Sequence, residues 1–106
     1  MKEEHLKSLI NQAPVTLFMK GDKYVPQCGF SAKVVEILNK HRADYTSYDI
    51  LVDPDVRQGL KEYSKWPTFP QLYVDGELIG GCDIVIEMDE DGELESLFKD
   101  HLKSWR

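Results

Sequence analysis

Asp75-Gly76 separates two short runs with strand character, Gln71 to Val74 and Glu77 to Gly80. A two-residue loop leaves no room for a crossover, so these runs pair as an antiparallel hairpin. The first half of the chain demands the opposite. Val15-Thr16-Leu17-Phe18-Met19 is short, apolar and rich in strand formers, and Tyr45 to Ile50 reads as a second strand. Between them, Val34, Val35, Leu38 and His41 share one face of a helix running from about Gly29 to His41. Strands joined through a helix run parallel, with a right-handed crossover. A parallel pair and a hairpin in one chain imply an α/β fold: one four-stranded mixed sheet with helices on both faces.

The rest of the chain supplies those helices. Leu6, Leu9 and Ile10 have helical spacing, and Pro14 closes that segment. Asp53-Pro54 is an N-cap followed by proline at the first helical position, and Val56, Leu60 and Tyr63 mark the stripe of a third helix. Trp66-Pro67-Thr68-Phe69-Pro70 cannot be regular helix, because two prolines stand three residues apart. Gly80-Gly81 ends the hairpin, and Ile84, Val85 and Met88 point to a helix opening near Asp83. A last helix is expected after Gly92, with Leu94, Leu97, Phe98, Leu102 and Trp105 on its inner face. No repeat or linker interrupts the 106 residues, so residues 1–106 read as a single domain.

Thirteen Lys and Arg against nineteen Asp and Glu leave a formal net charge of −6, which argues against nonspecific nucleic-acid binding. Apolar runs reach only three residues, as in Ile84-Val85-Ile86, too short to span a bilayer. Two cysteines, Cys28 and Cys82, are too few for a disulfide scaffold and fit a reducing compartment. The expectation is a cytoplasmic protein, or a mitochondrial one whose transit peptide has been removed, since Glu3 and Glu4 do not suit a transit peptide.

Cys28 falls between the first strand and the second helix. A helix N-terminus favours thiolate over thiol, and Lys20 at the end of the strand adds positive charge. The plain alternative is a small buried hydrophobe, the commoner fate of a free cysteine. Pro26, Gln27 and Gly29 make Cys28 look instead like a loop residue. Arg57 and Lys61 stand four apart on the third helix, where a solvated face with Asp53 as partner is the simple explanation. Gly80-Gly81-Cys82-Asp83 is either a tight turn with Asp83 as N-cap or a place where a ligand approaches backbone closely. His5, His41 and His101 lack metal-ligand spacing and read as structural or surface residues. Asp89-Glu90-Asp91 reads as a solvated face.

Cys28-Gly29-Phe30-Ser31 resembles the active-site motif of the monothiol glutaredoxins, and four further blocks occur in matching order. They are Phe18 to Gly21, Val56 to Lys61, Trp66 to Val74 and Gly76 to Val85, so the likeness spans roughly residues 4 to 103. The resemblance implies a thioredoxin-like fold that binds glutathione beside Cys28, and a homodimer sharing one [2Fe–2S] cluster with Cys28 as metal ligand. It implies that Arg57 clamps the glycine carboxylate of glutathione and that Lys20 stands near its sulfur. Phe69 would give backbone contacts, next to a cis Phe69–Pro70 bond, and Cys82 and Asp83 would hold the γ-glutamyl end. Cluster-recipient or BolA-like proteins are the implied partners. The residues support one element of this by themselves. Ser31 stands where a Cys-x-x-Cys pair would have its resolving cysteine, so an internal dithiol cycle at this turn is impossible. A [2Fe–2S] cluster takes four thiolates, which two chains and two glutathiones would supply. The alternative is a glutathione-dependent disulfide oxidoreductase or deglutathionylase in which Cys28 is the nucleophile.

Overall fold

Val15–Met19 forms β1, and every residue in it is buried because the strand runs through the middle of the sheet. The computed structural model describes residues 2–103. Along the chain follow α1 (Glu3–Ile10), β1, α2 (Gly29–Lys40), β2 (Thr46–Asp49), α3 (Pro54–Ser64), β3 (Gln71–Val74), β4 (Glu77–Gly80), α4 (Cys82–Glu90) and α5 (Glu93–Phe98). The sheet order is β2-β1-β3-β4. β1 runs parallel to β2, with Thr16 opposite Thr46, and antiparallel to β3, with Val15 opposite Val74. β3 and β4 are joined by Asp75-Gly76, both at positive φ (51° and 84°), which is the mirror-image turn that matches strand twist.

Alternation along the strands divides the interior into two cores. Val15, Leu17 and Met19 with Leu72 and Val74 face α2, α4 and α5, and pack on Val34, Leu38, Val85, Leu94 and Phe98. Phe18 and Tyr73 face the other way, onto Leu6 and Ile10 of α1 and Val56 and Leu60 of α3. Helices therefore cover both faces of a mixed sheet, as the pattern of the sequence requires. Each fully buried Leu or Phe contributes roughly 1.5–3 kcal/mol. The N-cap of α3 also forms as read: the Asp53 carboxylate accepts from the Val56 N–H (3.3 Å), and its second oxygen accepts from the Tyr48 hydroxyl (2.8 Å).

The C-terminal segment departs from expectation. α5 ends at Phe98, and Leu102 lies beyond it, half exposed and bridged to Ala43. Asp44 N–H donates to the His101 carbonyl (2.7 Å) and Lys103 N–H to the Arg42 carbonyl (2.8 Å). Strand-like pairing with the chain leaving α2 takes over the backbone groups that a longer helix would have used. Trp105 lies outside the described residues. Asp89 is not on a solvated face either. Its side chain is only 15% exposed, and it bonds Lys40 Nζ and His41 Nε2 at the end of α2. Tyr63 stands at the rim of the α3 stripe, 36% exposed.

Candidate functional site around Cys28

Cys28 is the N-cap residue of α2, in extended backbone geometry, with its carbonyl accepting from the Ala32 N–H (2.9 Å). The loop before it is internally tied. Gln27 N–H reaches the Lys20 carbonyl (2.8 Å), Asp22 Oδ1 accepts from Tyr24 and Val25 N–H, and Lys23 Nζ donates to the Tyr45 carbonyl (2.7 Å). The thiol is partly buried and its pKa is held below the ordinary cysteine value. The Ser31 N–H is the main cause. Burial opposes it, and the Phe30 N–H, the Lys20 ammonium and the Ser31 hydroxyl add to it. A thiolate at the opening of a helix is the nucleophilic and metal-binding form of cysteine. Ser31 is fully buried, and its Oγ also accepts from the Lys20 N–H (3.1 Å), tying the end of β1 to the first turn of α2.

A cleft of about 430 Å3 opens beside this turn. Lys20, Arg57, Phe69, Cys82 and Asp83, the residues singled out in the sequence, all line it, brought together from β1, α3, the approach to β3 and α4. Lys61 is not among the lining residues. Cys28 is not one of them either, but it is coupled electrostatically to two that are, Lys20 and Cys82. The Phe69–Pro70 bond is cis. Cys82 opens α4, and its thiol is pushed up, first by burial and then by the charges of Asp83 and Cys28. The two thiols are thus unlike: Cys28 is poised to ionise and Cys82 to keep its proton.

Three features were not legible from the residues alone. Phe30 and Ile84 line the cleft; both fall inside matching blocks, the cysteine motif and Gly76 to Val85, but neither is singled out there as a site residue. Trp66 is a half-buried wall residue whose indole N–H finds no partner among the described residues. Gly81 lets the chain pass close to this wall: a Cβ there would stand 3.2 Å from both the Pro70 carbonyl oxygen and Trp66 Nε1, so a larger residue would push one of them by a few tenths of an ångström. That contact joins segments far apart in sequence.

Known proteins place this arrangement. The Glutaredoxin family model matches residues 15–79. Monothiol glutaredoxin-S11 of rice is 57% identical over 98 residues, which are 92% of this chain and 20% of the rice protein. Zebrafish Glutaredoxin 3 is 61% identical over 97 residues, again 92% of this chain and 30% of the relative. The chain thus spans less than a third of the length of these relatives. A probable monothiol glutaredoxin 2 of Rickettsia typhi is 50% identical over 106 residues, 97% of this chain and 96% of that one. Among solved structures, reduced apo GrxS14 of poplar superposes with a TM-score of 0.79 at 51% identity, covering 92% of this chain and 90% of that one. A buckwheat glutaredoxin–glutathione complex shares the fold, with a TM-score of 0.80 at 24% identity, covering 97% and 100%. With Ser31 in place of a second active-site cysteine and half of its residues shared with a bacterial relative over nearly its whole length, the chain belongs to the monothiol branch of the glutaredoxin family.

Proposed function

We propose that this chain binds glutathione in the cleft beside Cys28 and that two such chains carry a [2Fe–2S] cluster, which they assemble or pass to recipient or BolA-like proteins. The observation that carries the proposal is one ionisation-prone thiol at a helix start, with serine where a second thiol would stand. A [2Fe–2S] cluster takes four thiolates. Among the described residues no three metal-ligating side chains converge, so one chain offers only part of a ligand set. Two Cys28 thiolates and two glutathione thiolates complete it. The partly exposed position of Cys28 and its lowered pKa suit such a shared ligand.

The cleft suits the tripeptide. Arg57 presents a guanidinium able to take the glycine carboxylate in a bidentate fashion. Phe69 would offer backbone to the cysteinyl unit, Lys20 a positive charge near its sulfur, and Asp83 with the Cys82 backbone the γ-glutamyl end. The buckwheat glutaredoxin solved with glutathione supports this choice of ligand through its shared fold.

The ligand assignment is tested by reconstituting Cys28→Ser and Cys82→Ser separately and reading the visible absorption. Cys28→Ser is expected to come out colourless and Cys82→Ser coloured. If Cys82→Ser is also colourless while it folds and binds glutathione, four protein cysteines hold the cluster instead.

The lowered Cys28 pKa favours a second reading, glutathione-dependent reduction of mixed disulfides. The Cys28 thiolate would attack the glutathionyl sulfur and form a Cys28–glutathione disulfide, expelling the substrate thiolate. A second glutathione thiolate would then release Cys28 and leave as glutathione disulfide. Turnover in a glutathione-coupled assay, set against iron content of the purified protein, separates the two readings.

A further inference from the structure

Gln71 opens β3 directly after the cis bond and is fully buried. A buried primary amide is costly unless its donors and acceptor are paired. Here they are. Nε2 donates to the carbonyl oxygens of Trp66 (3.0 Å) and Thr68 (3.2 Å), and Oε1 accepts from the Tyr73 hydroxyl (3.0 Å). Carbonyl oxygens only accept, so they fix the amide nitrogen on their side and leave its oxygen to Tyr73. A second tie holds the same segment from α3. The Trp66 N–H donates to Ser64 Oγ (3.1 Å), whose hydroxyl donates to the Leu60 carbonyl (2.6 Å).

The segment held in this way leaves α3 through Lys65, a non-glycine residue at φ 56°, and carries no regular secondary structure of its own. Trp66, Pro67, Thr68 and Phe69 from it form one wall of the cleft, while Gln71 and Tyr73 do not line the cleft at all. An apolar side chain at position 71 would leave two carbonyls of the wall unheld and take the acceptor from the Tyr73 hydroxyl. The amide therefore serves the wall.

We propose that Gln71 is a positioning residue: its amide, oriented by Tyr73, holds the Trp66–Phe69 wall in the shape that receives glutathione. This rests on glutathione being the ligand of the cleft.

The test compares Gln71→Leu and Tyr73→Phe with Val74→Ala in the full chain. Val74 is buried in the opposite core and touches none of these hydrogen bonds, so its variant controls for lost stability alone. Amide hydrogen exchange of residues 65–69 is read without ligand, and glutathione binding by calorimetric titration. Gln71→Leu is expected to speed exchange of the segment about tenfold and to weaken glutathione about tenfold, the loss of roughly one buried hydrogen bond. Tyr73→Phe is expected to move both readouts less, and to add little on top of Gln71→Leu, because the two act through one network. Val74→Ala is expected to lower the melting temperature and to move neither. Exchange in Gln71→Leu no faster than in Val74→Ala overturns the proposal, and so does faster exchange with unchanged affinity. If Gln71→Leu does not fold, Tyr73→Phe decides by the same criteria. A wild type that fails to bind glutathione overturns the ligand assignment, and exchange then decides the clamp by itself.

Discussion

Ser31 does two things at once, accepting from the Lys20 N–H and lending its own N–H and hydroxyl to the Cys28 thiolate. Ser31→Ala keeps the N–H, the larger contributor, and loses the hydroxyl. The Cys28 pKa is therefore expected to rise but to stay below the ordinary value, as followed by the pH dependence of iodoacetamide alkylation. A lowered pKa means that the reactive thiolate persists as pH falls below the ordinary cysteine range and is lost only as pH passes the lower folded value. An alkylation profile for wild type no different from that of a free thiol would contradict the assignment. Arg57 and Lys61 separate on similar grounds, because only Arg57 lines the cleft. Arg57→Ala is expected to weaken glutathione ten- to a hundredfold, the worth of a charge-assisted hydrogen bond of about 1.5–3 kcal/mol, and Lys61→Ala far less. Calorimetric titration of both decides it, and equal losses would reduce Arg57 to a screened point charge.

α4 begins in the cleft with Cys82 and α2 beside it with Cys28, and the two helices are joined again at the end of α2, where Asp89 bonds Lys40 and His41. Asp89→Asn is expected to cost about 1 kcal/mol, modest because Lys40 is exposed, and to lower the melting temperature by roughly 4–8 °C. The Lys40 hydrogen bond, followed by that of His41, holds the Asp89 carboxylate below its ordinary value of 3.8. Its contribution is thus full above pH 3.8 and lost as pH falls through the lower folded value, so wild type and variant should converge in acid. Thermal melts across that range check this, and a gap that persists unchanged in acid would contradict it. The sequence could not announce this clamp, since Asp89 sits beside Glu90 and Asp91 and its partners are 48 and 49 residues away. The helices and strands were legible because their signals are local: a five-residue run rich in strand formers, an Asp-Pro cap, an Asp-Gly turn. α5 was overextended because apolar periodicity through Leu102 competes with pairing to the chain after α2, and periodicity does not see that competition. The site was legible as a set of residue types, and the folded chain adds the wall: Trp66 against Gly81, and Gln71 beneath it.

In the whole molecule, the loops after the parallel strands β1 and β2 emerge at the same end of the sheet. They carry exposed apolar side chains, Tyr24 (83%) and Val52 (78%), and Phe30 in the first turn of α2 is exposed as well (64%). Exposed apolar side chains favour association, and these stand on the loops and helix start at the end of the sheet that carries Cys28. A shared cluster would draw two such surfaces together, with each chain contributing one thiolate and one bound glutathione. The most direct measurement is anaerobic reconstitution followed by native mass and by iron, acid-labile sulfide and glutathione per chain. A dimer with one [2Fe–2S] cluster and two glutathiones is expected, and stripping glutathione by gel filtration should release the cluster and return monomer. A cluster that survives complete removal of glutathione would contradict the account.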